Sequence, residues 1–204
     1  IQQRTAMLAG VSHDLRTPLT RFKLALAMMK GGPELDELER DVVEMEQLVD
    51  EYLAFAKGEG SEQAVETNLP VLIEEVVEKS KRKGLDLSFS AKGALRVMLR
   101  PNAFKRCLGN IIGNAARFAD KIDVGASRRS GLILVTVDDN GPGVPEEERE
   151  DVFRPFFRAE NSRGTGGAGL GLTIARDVIR GHGGDIMLGD SPLGGLRVVI
   201  RLPV

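Results

Sequence analysis

Tryptophan is absent from this sequence of 204 residues and tyrosine occurs once, which argues against an aromatic platform for stacking nucleobases. Charge of one sign is not in excess either. The 28 Lys and Arg oppose 30 Asp and Glu, for a net charge of −2, so nothing favours nucleic acid as a partner. Cys107 is the single cysteine. It excludes a disulfide within the chain and fits a reducing compartment, where a small buried residue is its ordinary role. No apolar run approaches the ~20 residues that would span a bilayer, and no secretory leader is visible. The length allows one domain or two, either with a workable core. The chain opens at Ile1 in what already reads as helix, and is expected to be part of something longer.

What is present falls into two halves with different periods. Leu35, Leu38, Val42, Met45, Val49, Tyr52 and Ala56 alternate steps of three and four, the seam of a coiled coil or bundle. Pro33 in "GGP" suits the first turn of that helix. A second stripe runs through Leu8, Val11, Leu15, Leu19, Phe22, Leu26 and Met29, with a kink or loosening expected at Pro18. Joined by "KGGP", the two helices form an antiparallel hairpin. One hairpin buries too little apolar surface, so two copies are expected to pair as a four-helix bundle, making a homodimer.

"KGEGSEQAVETN", residues 57–68, is polar and glycine-bearing and reads as a linker. Beyond it the pattern becomes mixed α/β. Helices are expected over 69–83 (capped by Asn68 and stopped at Gly84), 102–118 and 169–181. Strands are expected near 85–90, 94–99, 121–127, 131–138, 184–189 and 196–202. The division is therefore 1–57 for the helical hairpin, 58–68 for the linker and 69–204 for the α/β domain.

Candidate chemistry starts at "VSHDLRTPLTR". At 100° per residue His13 lies about 160° from Leu15, opposite the apolar stripe, and Thr17 stands on the same wet face. An exposed imidazole beside Asp14 and a hydroxyl can act as a nucleophile, the carboxylate holding the ring and taking its proton. Standing alone, such a residue is more often simply a solvated histidine. His182 in "RGHGGD" reads as a surface turn residue.

A second group lies on the 102–118 helix, where Asn110, Asn114 and Arg117 share one face, nearly opposite Leu108, Ile111, Ile112 and Ala115. An amide oxygen suits Mg²⁺ and a guanidinium suits phosphate, although such a face can also be merely solvated. The strand "LILVTVD" then runs into "DDNGPGVP". Asp139 could accept from an exocyclic amine there, and Gly141 and Gly143 bend the chain; a plain β-turn is the other reading. "VFRPFFR" brings three phenylalanines together, expected to pack the base of a mobile segment. "GTGGAGLGL", residues 164–172, contains G-x-G-x-x-G, but no strand precedes it and only a helix follows, so a dinucleotide-binding βαβ unit is excluded.

The string from His13 to Leu19 resembles the phosphoacceptor box of sensor histidine kinases, and looks most like that of the osmosensing members. "NIIGNAARF", "DDNGPGVP", "VFRPFF" and "GTGGAGLGL" resemble, in order, the N, G1, F and G2 boxes of the same family's ATP-binding domain. The five motifs cover the chain almost end to end. The resemblance implies a helical hairpin that dimerises into a four-helix bundle, followed by an α/β sandwich ATP-binding domain of the histidine kinase and gyrase type. It implies that His13 receives a phosphoryl group from ATP, with Asp14 as base, and passes it to an aspartate in the receiver domain of a cognate response regulator. Thr17 would position water for dephosphorylating that regulator. ATP and Mg²⁺ are the implied cofactors, with Asn114 as metal ligand and Asn110, Arg117, Asp139, Gly141 and Gly143 around the nucleotide. Gly167, Gly169, Leu170 and Gly171 would form the end of an ATP lid whose backbone N–H groups face the phosphates. Arg158 and Arg163 flank that lid and either reach the phosphates or are solvated. The extra glycine pair in "GTGGAG" departs from the usual box. Gyrase/MutL-type ATP hydrolases, the competing reading, place Glu where this chain has Asn110; an amide cannot serve as general base, so water attack is disfavoured. Membrane attachment is expected only through segments outside this chain, making it the cytoplasmic portion of a bacterial inner-membrane protein.

Overall fold

Leu69, Leu72, Ile73, Val76 and Val77 recur at helical spacing and are all buried, and Pro70 sits in the first turn where its missing N–H costs nothing. These residues therefore fold as helix α1 (Leu69–Lys81). Asn68 holds its N-cap position, but its side chain makes no capping bond. The chain ends the helix and turns at Gly84, whose φ of +86° favours glycine. The structure, a computed structural model, describes residues 17–29, 32, 35, 38, 42, 43, 45, 49, 62–82, 84–157 and 169–204.

Seven strands and two further helices complete the second half. They are β1 (Val65–Asn68), β2 (Asp86–Lys92), β3 (Arg96–Leu99), α2 (Pro101–Phe118), β4 (Lys121–Arg129), β5 (Leu132–Asp139), α3 (Gly171–Arg180), β6 (Asp185–Asp190) and β7 (Leu196–Pro203). β1 pairs antiparallel with β3, Val65 opposite Leu99. The last four residues of the segment expected as linker over 58–68 are therefore strand. The main sheet runs β2-β4-β5-β7-β6; only β2 and β4 are parallel, and the other pairs are antiparallel. β4, β5 and β7 alternate buried and half-buried residues, the mark of a sheet with one face on the core. Phe104, Leu108, Ile111 and Ile112 of α2, Ile174, Val178 and Ile179 of α3, and the inward strand residues share that core. Cys107 is buried between α2 and α3, its sulfur 3.6 Å from the Ala175 carbonyl.

In the first half, residues 17–27 are helical. Leu19 and Leu26 pack with Val42, Leu35 and Val49, so the two predicted stripes meet. Other stripe members stay outside: Phe22 is 58% exposed, Leu38 50% and Met29 60%. No helix among the described residues is long and apolar enough to cross a membrane.

Candidate functional site

α2 carries the expected row. Asn110 and Asn114 are half-buried and Arg117 is exposed at the last turn, because the opposite face of the same helix is committed to the core. Asn110 Nδ2 lies 3.5 Å from the Gly171 carbonyl at the head of α3, and Gly171 leaves a Cβ-sized gap 3.8 Å from the Asn110 Cβ. The N-box face and the glycine segment, 61 residues apart, are therefore neighbours.

β5 ends at Asp139, and the turn that follows lies against the C-terminal end of α2. Asp139 is 5% exposed. Oδ1 accepts from the backbone N–H of Gly141 at 2.9 Å and of Leu196 at 3.0 Å, and its carbonyl accepts from Gly195 N–H at 3.1 Å. One carboxylate oxygen is thus used to hold the side chain still, and among the described residues the other accepts no hydrogen bond. Gly141 fits because any Cβ there would press on the Phe118 carbonyl at 3.0 Å, at the end of α2. Gly143 has φ of +71°, so both glycines are required by the turn. The "DDNG" segment is more than a plain turn: Asn140 Oδ1 accepts from the N–H groups of Asp120 and Lys121 at 3.1 and 3.0 Å, binding it to the start of β4.

The neighbouring Asp138 points to the other sheet face and forms a two-pronged pair with Arg197, Nε to Oδ1 at 2.6 Å and Nη2 to Oδ2 at 2.9 Å. The hydrogen bond to Asp138 raises the Arg197 pKa, outweighing burial. Asp138 and Arg197 are the last register pair of β5 and β7 before the site.

Ahead of α3, Phe156 N–H donates to the Gly169 carbonyl at 3.1 Å, which ties these two positions together. Phe156 has φ of +65° and Gly169 φ of +67°. The three phenylalanines are not buried alike. Phe153 is 2% exposed and Phe156 64%; only Phe153 enters the core, with the Arg176 guanidinium 4.3 Å above its ring. Thr173 Oγ1 donates to the Phe153 carbonyl at 2.9 Å, joining α3 to this base. Leu170 is 1% exposed, so only its backbone could meet a ligand. The first-turn N–H groups of α3 have no helical acceptor, so they could seat a phosphate. His13, Asp14, Arg158, Arg163 and Gly167 lie outside the described residues. Thr17 is half-buried on the helical segment 17–27.

His182 lies in the turn after α3, as expected, but it is half-buried and hydrogen-bonded rather than simply a surface residue. Its Nδ1–H donates to the Val178 carbonyl at 2.7 Å and its Nε2 accepts from Arg100 N–H at 2.9 Å, bridging the end of α3 to the start of α2. Gly195 was also missed: a Cβ there would strike the Asp139 carboxylate and sit 2.5 Å from Gly141 N. The paired glycines of "PLGGLR" just before a strand are the signal that could have found it.

The donor set suits a nucleoside triphosphate: an uncommitted carboxylate oxygen, a glycine cradle, two amides and a helix N-terminus. Among the described residues no group of three or more His, Cys, Asp or Glu could hold a metal. A divalent cation here would take an amide oxygen such as that of Asn114, with phosphate oxygens and retained waters supplying the remaining ligands.

Residues 100–204 match the family described as "Histidine kinase-, DNA gyrase B-, and HSP90-like ATPase". Residues 3–61 match "His Kinase A (phospho-acceptor) domain". The chain is 37% identical to the sensor histidine kinase CpxA of Escherichia coli strain K12, over 100% of this chain and 47% of that protein. A solved structure of full-length ShkA in complex with AMPPNP superposes with a TM-score of 0.77 at 25% identity, covering 97% of this chain and 45% of that one. The ATP-binding domain of PrrB from Mycobacterium tuberculosis gives 0.60 at 30% identity, over 69% of this chain and 97% of that one. The chain spans about half the length of the curated relatives it matches.

Proposed function

The chain belongs to the sensor histidine kinase family, and from that premise we propose that it transfers the γ-phosphoryl group of ATP to its own His13. A ring nitrogen of His13 would attack the γ-phosphorus, the bond to the β–γ bridging oxygen would break, and ADP would leave with the electron pair. Asp14 would take the imidazole proton. Asp139 would read the adenine amine through the oxygen that Gly141 and Leu196 leave uncommitted. Asn110, Arg117 and the head of α3 would meet the phosphates. Mg²⁺, held in part by Asn114, would neutralise charge on the triphosphate.

The observation that carries this reading is Asn110 at the junction of α2 and α3. A water-activating ATPase needs a general base at such a point, and an amide has none to offer. The γ-phosphoryl is therefore kept for a protein nucleophile, and the match of residues 3–61 to a phospho-acceptor domain supports His13 in that role. The phosphoryl would pass on to an aspartate of a response-regulator receiver domain, and Thr17 would hold water for the reverse hydrolysis. The exposed Phe22, Leu38 and Met29 support a homodimer in which a second hairpin covers them. We divide the chain as 1–57, a linker over 58–64, and 65–204. The likeness to osmosensing members and the inner-membrane parent belong to the same reading.

Incubation with γ-labelled ATP tests it. An acid-labile covalent label that disappears in His13→Ala, with ATP binding retained, is the expected result. Free phosphate released without protein labelling would favour the hydrolase instead.

A further inference from the structure

Helix α2, which carries Asn110 and Asn114, begins without a cap of its own. Its N-cap is Arg100, in extended conformation at φ −88° and ψ 104°, and makes no side-chain cap bond. A guanidinium has donors only, so it cannot satisfy the orphan N–H groups of the first turn. Those groups are satisfied from elsewhere. Glu62 Oε1 accepts from Asn102 N–H at 2.8 Å and Asn102 Nδ2 at 3.0 Å, and Oε2 accepts from Ala103 N–H at 3.0 Å. These are the second and third helical N–H groups, the pair an N-cap side chain normally serves. Pro101 has no N–H, Phe104 N–H goes to the Arg100 carbonyl, and Arg100 N–H goes to His182. The accounting is complete, and its central member comes from the linker.

Glu62 lies three residues before β1, and 62–64 have no regular structure of their own. Without the carboxylate, the second domain would take hold of the chain only at Val65. With it, the hold begins at Glu62, which removes three residues, about 10 Å of contour, from the free arm. We propose that Glu62 is a positioning residue that latches the interdomain linker onto the nucleotide-binding helix and so sets the reach between the His13 helix and the nucleotide site. The helix dipole favours a carboxylate at this end. Glu62 is also held below its ordinary pKa: burial raises it, but the bonds from Asn102 and Ala103 and the nearby Arg100 outweigh that.

The functional half of this inference rests on the kinase reading; the latch itself does not. A capping residue and a latch are separated by moving the cap. Glu62→Ala removes both, whereas Glu62→Ala with Arg100→Asp restores an acceptor at the N-cap but leaves the linker free. In Glu62→Ala, amide exchange at Asn102 and Ala103 should quicken about five- to tenfold. Labelling at saturating ATP should slow about fivefold with nucleotide affinity unchanged, because a longer arm lowers the effective concentration of the nucleotide domain at His13. The double variant should recover exchange protection but not labelling. Spin labels at Met28→Cys and Met187→Cys, sites 87% and 42% exposed, diluted with unlabelled chain, should show a broadened distance distribution in both variants. Recovery of labelling or of the narrow distribution by Arg100→Asp would reduce Glu62 to a cap and overturn the proposal. So would wild-type exchange, or a wild-type distance distribution, in Glu62→Ala. If the wild-type chain takes no label, the kinase reading fails, and the exchange and distance measurements still judge the latch.

Discussion

A single methyl group at Gly195 should dismantle the site. Built on the backbone, it would collide with the Asp139 carboxylate, lie 2.5 Å from Gly141 N and 2.7 Å from the Asp139 carbonyl oxygen. Two of these atoms belong to the backbone and cannot rotate away. If the carboxylate retreats, it loses the N–H groups of Gly141 and Leu196. If the 191–195 turn retreats instead, Gly195 N–H leaves the Asp139 carbonyl. Overpacking of this kind costs about 1–3 kcal/mol, and a lost hydrogen bond to a buried charge about 1.5–3 kcal/mol. Because relaxation relieves one at the expense of the other, the sum for Gly195→Ala should be about 3 kcal/mol. For a domain of this size that lowers Tm by roughly 10 °C. Nucleotide affinity should fall by at least about tenfold if the displaced group is, as proposed, the one that reads the base. Gly189→Ala is the control: a Cβ there meets nothing within 4 Å, and Tm should stay within about 2 °C. Melting and calorimetry on both variants decide the matter. If Gly195→Ala melts and binds like Gly189→Ala, the close packing of the turn on Asp139 is not what holds the carboxylate.

Asn114→Ala should weaken Mg²⁺-dependent ATP binding while leaving binding of metal-free nucleotide nearly unchanged, which calorimetry with and without chelator would read. Asp139→Ala should relax the preference for ATP over GTP, measured as the ratio of the two affinities; an unchanged ratio would remove Asp139 from base recognition. Thr17→Ala should keep most autophosphorylation and transfer but lose most phosphatase activity toward a phosphorylated receiver domain, and a parallel fall of both rates would point to helix geometry instead. The Glu62 contribution to stability has a definite sign in pH. A carboxylate whose folded pKa lies below its ordinary 4.5 stabilises fully above that value and loses its effect as pH falls through the folded pKa. The Tm difference between wild type and Glu62→Gln should therefore shrink below about pH 4.5 and persist at neutral pH.

Much of the second half could be read from the chain because its elements are locally specified. α1 and α2 have unbroken apolar faces, and β4, β5 and β7 alternate with period two, so patterning alone located them to within a residue or two. β1 escaped because "VETN" is polar and mostly exposed; it is a strand only because β3 lies beside it. Nothing in four such residues encodes partners 28 to 34 positions away.

The motifs and their order were properties of the sequence: the amide row at 110 and 114, the aspartate ending a strand, and the glycines placed where the chain must turn. Local chemistry identifies such residues because a turn, a cap or a helix face is built within a few positions. Tertiary structure alone decided the contacts that hold them. Leu196 and Gly195 reach Asp139 from a different strand, and His182 and Glu62 close the start of a helix from 82 and 40 positions away. Each of these is a backbone N–H finding an acceptor, or an acceptor finding a backbone N–H, after the core has formed. Since every residue but proline carries the same N–H, no side-chain pattern records which one will be met.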